Sequence, residues 1–128
     1  MRKLLAVAAF GMGISAFGAC GGGDGTGSVS DPVSACKENI AVTCDKIFGC
    51  FTKEELDAAK SIVGLNATDC RDKLGVDCTP DKSNCDAGET FHADKAQACL
   101  DGMKTLSCND IHQMPIPTPA ACDQICTK

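Results

Sequence analysis

The chain has no tryptophan and no tyrosine, and only five phenylalanines in 128 residues. Sugar-binding faces and the hot spots of protein interfaces lean on Trp and Tyr, so their absence lowers the prior for both. No Cys-x-x-Cys occurs, which removes the usual zinc knuckle and the thioredoxin-like redox motif. There is no Gly-x-Ser-x-Gly elbow, no His-Glu-x-x-His and no Gly-x-Gly-x-x-Gly. Positive charge is also scarce. Twelve basic residues face seventeen acidic ones, a balance that disfavours nucleic acid and anionic lipid surfaces and favours solubility. No apolar run reaches the ~20 residues that a membrane-spanning helix needs.

What the chain has is cysteine, eleven of them, and a distinctive amino terminus. Met1-Arg2-Lys3 is a short cationic start. Leu4 to Phe17 then carries no charge, a length suited to the apolar region of a secretory signal. The run ends Phe17-Gly18-Ala19-Cys20, which resembles the lipobox of bacterial lipoproteins. In that family the cysteine thiol receives a diacylglycerol and the signal is cut just before it. Phe17 stands where the family usually has Leu. The alternative is ordinary cleavage after Ala16-Phe17-Gly18, which leaves Cys20 unexplained. The resemblance therefore implies a signal peptide over 1–19, lipidation of Cys20, and a membrane as partner through the lipid anchor. In enteric bacteria an Asp after the lipidated cysteine retains the protein in the inner membrane. Gly21 stands there, so the expected location is the outer membrane of the cell envelope.

With Cys20 assigned to lipid, ten cysteines remain: Cys36, Cys44, Cys50, Cys70, Cys78, Cys85, Cys99, Cys108, Cys122 and Cys126. An even number suits a disulfide framework, and export places it in an oxidising compartment. Ten cysteines allow on the order of a thousand pairings. Proximity favours Cys78 with Cys85, and Cys108 with Cys122 or Cys126. Each bridge adds ~2–4 kcal/mol by constraining the unfolded chain, which compensates for a core poor in aromatics. Zinc would need closer ligands. Only Cys122 and Cys126 approach that spacing, with His112 upstream, and no metal or other cofactor is expected.

Gly21 to Ser30 is rich in glycine and serine, a flexible coil that suits a tether. It has neither the strand nor the helix that a phosphate-binding loop requires. The expected organisation is a signal over 1–19, a lipidated cysteine and tether over 20–31, and a folded domain over 32–128.

Asp31-Pro32 opens the folded part with an N-cap and a proline suited to the first helical position. Val33, Cys36, Ile40, Cys44, Ile47 and Phe51 then recur at helical spacing. Thr52-Lys53-Glu54-Glu55 is a capping box, followed by Leu56, Ala59 and Val63 and a terminating Gly64. Asn66 caps the next helix, which carries Cys70 and Leu74 towards Cys78. Asn66-Ala67-Thr68 is also a glycosylation sequon, but a cap explains it better in a bacterial chain. Residues 79–89 form a polar loop. Its acids (Asp77, Asp81, Asp86, Glu89) do not follow the calcium-loop spacing. Thr90 is expected to open the last long helix, with Ala96, Cys99, Leu100, Met103 and Leu106 on its stripe. Gly102 weakens that helix without ending it. Pro115, Pro117 and Pro119 favour extended chain, and Pro119 can start a short final turn. No alternating strand pattern appears. The expected fold is all-α, a small disulfide-rich bundle of three to four short helices.

The cysteine pattern resembles a group of uncharacterised cysteine-rich lipoproteins and secreted proteins of myxobacteria and their relatives. It is carried by Cys44-x₅-Cys50, by Asp69-Cys70-Arg71 leading to Cys78, by Ala96-Gln97-Ala98-Cys99-Leu100 running to Ser107-Cys108, and by Pro119-Ala120-Ala121-Cys122. Longer members continue into a glycine- and cysteine-rich module. The resemblance implies no activity.

The expected function is non-catalytic: a membrane-anchored binding or structural protein of the envelope, with a protein partner possible and none identified. The alternatives are an exported hydrolase using His92 or His112 as its base, or an inhibitor-like disulfide scaffold. A lipid anchor argues against release of such an inhibitor. Each histidine reads first as an ordinary exposed residue. Glu54 and Glu55 are adjacent, so on a helix they diverge rather than act as a catalytic pair.

Overall fold

A computed structural model describes residues 29–113 and 115–128. The signal, Cys20 and residues 21–28 lie outside the described residues. The fold is small, all-α and disulfide-rich, and the described residues form four helices of nine residues or more.

The first helix, α1 (Pro32–Cys50), is the axis of the molecule. Asp31 caps it as expected: its Oδ1 accepts from the backbone N–H of Val33 at 3.0 Å and of Ser34 at 2.9 Å. Ser34 Oγ accepts in return from Asp31 N–H at 3.1 Å. α2 (Lys53–Val63) begins at the Thr52–Glu55 capping box. It ends at Gly64, whose φ of 81° is open to glycine and strained for other residues. α3 (Ala67–Gly75) is capped by Asn66, whose Oδ1 accepts from Asp69 N–H at 2.9 Å. α4 (Pro80–Ser83) is a single turn inside the polar loop.

The next element corrects the expected start of the last long helix. Thr90–Phe91 is a two-residue strand, β1, and α5 (Ala93–Thr105) begins after His92. β1 pairs antiparallel with β2 (Cys126–Thr127), in the register Thr90 to Thr127 and Phe91 to Cys126. The paired residues lie 35 and 37 positions apart in sequence, so no local pattern announces the strand. A further turn, α6 (Cys108–Ile111), and a 3₁₀ turn (Ala120–Gln124) complete the fold. The latter starts after Pro119, as that proline suggested.

Helix α1 is buried on two sides. Cys36, Ile40, Cys44 and Ile47 face α2 and α3, where Ala59, Val63, Cys70 and Cys78 join them in one core. Ala35 and Val42 face the other way and pack with Ala96, Cys99, Leu100, Cys122 and Ile125 in a second core. Val29 is buried in this second core at 5 % exposure. Val29 precedes the Asp31 cap, so chain on the amino-terminal side of α1 contributes to this core. Glycine and serine content marks flexible chain but carries no signal for one valine finding a core.

All ten described cysteines are paired: Cys36–Cys78, Cys44–Cys70, Cys50–Cys108, Cys85–Cys126 and Cys99–Cys122. Their Cα–Cα separations run from 4.8 to 5.9 Å, within the ordinary disulfide range. Both proximity pairings are overturned. Cys78 bonds Cys36 rather than Cys85, and Cys108 bonds Cys50 rather than a cysteine beyond the prolines. The reason is helix geometry. Cys36 and Cys44, two turns apart on α1, both face the α3 side of the helix. They capture Cys78 and Cys70, which lie in the opposite chain order, as antiparallel neighbours must.

Candidate functional site

The two histidines weighed as bases sit at different seams of the fold. His92 is the residue before α5. Its backbone N–H donates to Ile125 O at 2.8 Å, and its ring Nε2 lies 2.9 Å from Thr127 Oγ1. It thus ties the carboxyl-terminal strand to the start of α5, a structural use for both its backbone and its ring.

His112 follows α6, where the end of α1, the start of α2 and α6 converge. Its ring stacks on Phe51, with centroids 5.2 Å apart and an interplanar angle of 17°. Its Nε2 lies 3.6 Å from Glu55 Oε1. The two side chains are 41 % and 43 % exposed, so this ion pair contributes little and only while His112 is protonated. The Cys50–Cys108 bridge closes the same seam.

Both carboxylates at this seam are already engaged. Glu55 accepts from Thr52 N–H at 2.7 Å. Asp110 accepts from Ser107 N–H at 2.8 Å and from Ser107 Oγ at 2.6 Å. Their pKa values fall below the usual carboxylate values. For Glu55 the main cause is the Thr52 backbone bond; for Asp110 it is the Ser107 hydroxyl. A carboxylate held ionised in this way is a cap, not a general acid tuned upward for proton transfer. Ser107 donates to Asp110 rather than to His112, so these residues do not have the order of a hydrolase triad.

Beside this seam, Lys46 of α1 donates from Nζ to Leu106 O at 2.5 Å and to Lys104 O at 2.7 Å. A cation on the last carbonyls of α5 satisfies acceptors that have no intrahelical partner. On the other side of α1, Arg71 Nη2 donates to Asp45 Oδ1 at 2.5 Å. Among the described residues, no group of three or more His, Cys, Asp or Glu could hold a metal ion. Among them, too, no helix is long and apolar enough to cross a membrane. Leu65 and Val76 are exposed, at 78 % and 69 %, but they lie beyond opposite ends of α3.

His112 is the C-cap of α6, a turn absent from the expected helices. The signal was present: Ser107-Cys108-Asn109-Asp110 fits the capping-box pattern, and Ser107 and Asp110 fill it. Gly102 has a use beyond the expected weakening of α5. A Cβ there would come within 2.8 Å of Pro119, so the glycine admits the proline segment against α5.

No protein-family model, no curated protein and no solved structure matches the chain.

Proposed function

We propose that the protein is a lipid-anchored envelope lipoprotein whose helical domain has a non-catalytic binding or structural role outside the cytoplasm. The observation that carries this reading is cysteine accounting. Ten cysteines bond one another in the domain, and the eleventh, Cys20, ends the Phe17-Gly18-Ala19-Cys20 sequence. A lipobox gives that odd cysteine a chemical role, and five disulfides suit an oxidising compartment. The engagement of His92, Glu55 and Asp110 in seams and caps supports a scaffold over a catalyst. The outer membrane, inferred from Gly21, is part of the proposal.

Intact mass of the protein extracted from native membranes tests it. The expected species starts at Cys20, carries two or three acyl chains, and is lighter by two hydrogens for each of five bridges. Cys20→Ser should move the protein from the membrane fraction to the soluble one. An unlipidated chain with another amino terminus would overturn the anchor. Measurable hydrolysis lost in both His92→Ala and His112→Ala, with the fold intact, would revive the enzyme.

A further inference from the structure

We propose that the Cys50–Cys108 bridge is a thiol-responsive pin that releases the proline segment while the rest of the fold stays locked. The five bridges differ in access. Cys36, Cys44, Cys70, Cys78, Cys99 and Cys122 are all buried, at 7 % exposure or less. Cys85 and Cys126 are both half-buried. Cys108 alone among the described cysteines is exposed, and its partner Cys50 is half-buried at the end of α1. Disulfide exchange requires a thiolate to reach a sulfur, so access sets the order of reaction.

Connectivity gives the opening a defined extent. Cys99–Cys122 closes the chain between them into a ring, and Cys50–Cys108 fastens the middle of that ring to α1. Without the pin, α6 and the chain after it are held by lesser attachments. Among the described residues these include buried Ile111, the Lys46 bonds to the end of α5, and the His112 contacts with Phe51 and Glu55. The segment contains Pro115 and Pro117, both exposed, and its two ends stay held by the buried Cys99–Cys122 bridge.

The reagent is an external dithiol. One of its thiolates attacks Cys108 Sγ, forming a mixed disulfide and breaking the bond to Cys50, which leaves as thiolate. The second thiolate attacks the mixed disulfide, closes the reagent into its own disulfide, and releases Cys108 as thiolate. Two electrons pass to the protein, and each cysteine takes one proton.

The test uses the oxidised full-length chain with any free thiol first capped by N-ethylmaleimide. Graded dithiothreitol is added without denaturant, and new thiols are trapped with iodoacetamide and mapped by mass spectrometry. Cys50 and Cys108 should label at concentrations about tenfold below those that open the three buried bridges. Amides of residues 107–113 should then exchange hydrogen about tenfold faster, with α1 and α3 unchanged. Cys50→Ser/Cys108→Ser should show the same fast exchange without reductant. Another bridge opening first, all five opening together, or wild-type exchange rates in the double variant would each overturn the proposal. None of these outcomes depends on the lipid at Cys20.

Discussion

The two cores that share α1 are closed by different means. On the α2–α3 side, each of the three long helices starts at a side-chain cap: Asp31, Thr52 and Asn66. Its two bridges, Cys36–Cys78 and Cys44–Cys70, lie inside the core. On the α5 side, neither α5 nor the 3₁₀ turn has a capping side chain. That side is held by contacts distant in sequence: the β1–β2 pairing, the Cys85–Cys126 bridge, and Lys46 on the end of α5. The first region is specified locally and then stapled; the second is specified by its staples.

The largest effect should come from the bridges, because they separate burial from loop length. Cys44–Cys70 spans 26 residues and Cys50–Cys108 spans 58. Chain entropy alone makes the longer bridge worth more by about 0.7 kcal/mol. Removing two fully buried sulfurs leaves a cavity, which adds roughly 2 kcal/mol in the other direction. Cys44→Ala/Cys70→Ala should therefore cost about 3–5 kcal/mol, and Cys50→Ala/Cys108→Ala less, about 2 kcal/mol. Guanidinium unfolding midpoints measure both. If the double variant at 50 and 108 proves the less stable, loop length governs and the contrast between the two regions is wrong.

The same contrast explains how much was legible in the sequence. Asp31-Pro32, Thr52 with Glu55, Gly64 and Asn66 all act through neighbours within four residues, and the starts of α1, α2 and α3 and the end of α2 follow from them. Thr90 was misplaced because its strand partner, Thr127, lies at the far end of the chain. The second stripe of α1 was invisible for a related reason. Ala35 and Val42 are too small to read as a face until α5 is seen to pack there. Bridge pairing failed because distance along the chain is a poor guide once helices pack antiparallel. At the candidate seam, His112 was identifiable as a residue, but its contacts with Phe51 and Glu55 depend on where the Cys50–Cys108 bridge sets α6.

The two glycines give an intermediate effect of opposite origin. Gly64 sits at φ 81°, and a Cβ there would come within 2.5 Å of Asp69 Cβ. Gly64→Ala should cost about 2 kcal/mol, by local strain within the α2–α3 turn. Gly102 is in mid-helix, where alanine ordinarily stabilises by roughly 0.5–1 kcal/mol. Here a Cβ would press on Pro119 at 2.8 Å. Gly102→Ala should therefore forfeit that gain and end destabilised by about 1 kcal/mol. Adding Pro119→Ala should recover part of the loss by removing the ring that is struck. Thermal melts of the single and double variants measure this coupling. Simple stabilisation by Gly102→Ala would show that the proline segment does not rest on α5.

The smallest effect is electrostatic. Asp31, Glu55 and Asp110 each cap a helix, and each has a pKa lowered by the bonds its carboxylate accepts. For Asp31 the chief cause is the Ser34 backbone bond; for Glu55 and Asp110 it is the Thr52 and Ser107 bonds already described. A group whose folded pKa is depressed gives stability that is fully present above its unfolded pKa and lost as pH falls through the folded value. Their ordinary values are 3.8 for Asp and 4.5 for Glu. These three caps should therefore give a flat contribution above about pH 5.5 and a decline below about pH 4.5. Asp31→Asn keeps a capping oxygen but does not titrate, so its acid slope should be shallower than the wild type's. The slope should change in the α1 amides, which hydrogen exchange resolves, and not in the amides of α5, whose start carries no carboxylate cap. An equal change in α5 would mean that the cores unfold as one unit in acid, and the local character of the α2–α3 side would not survive that result.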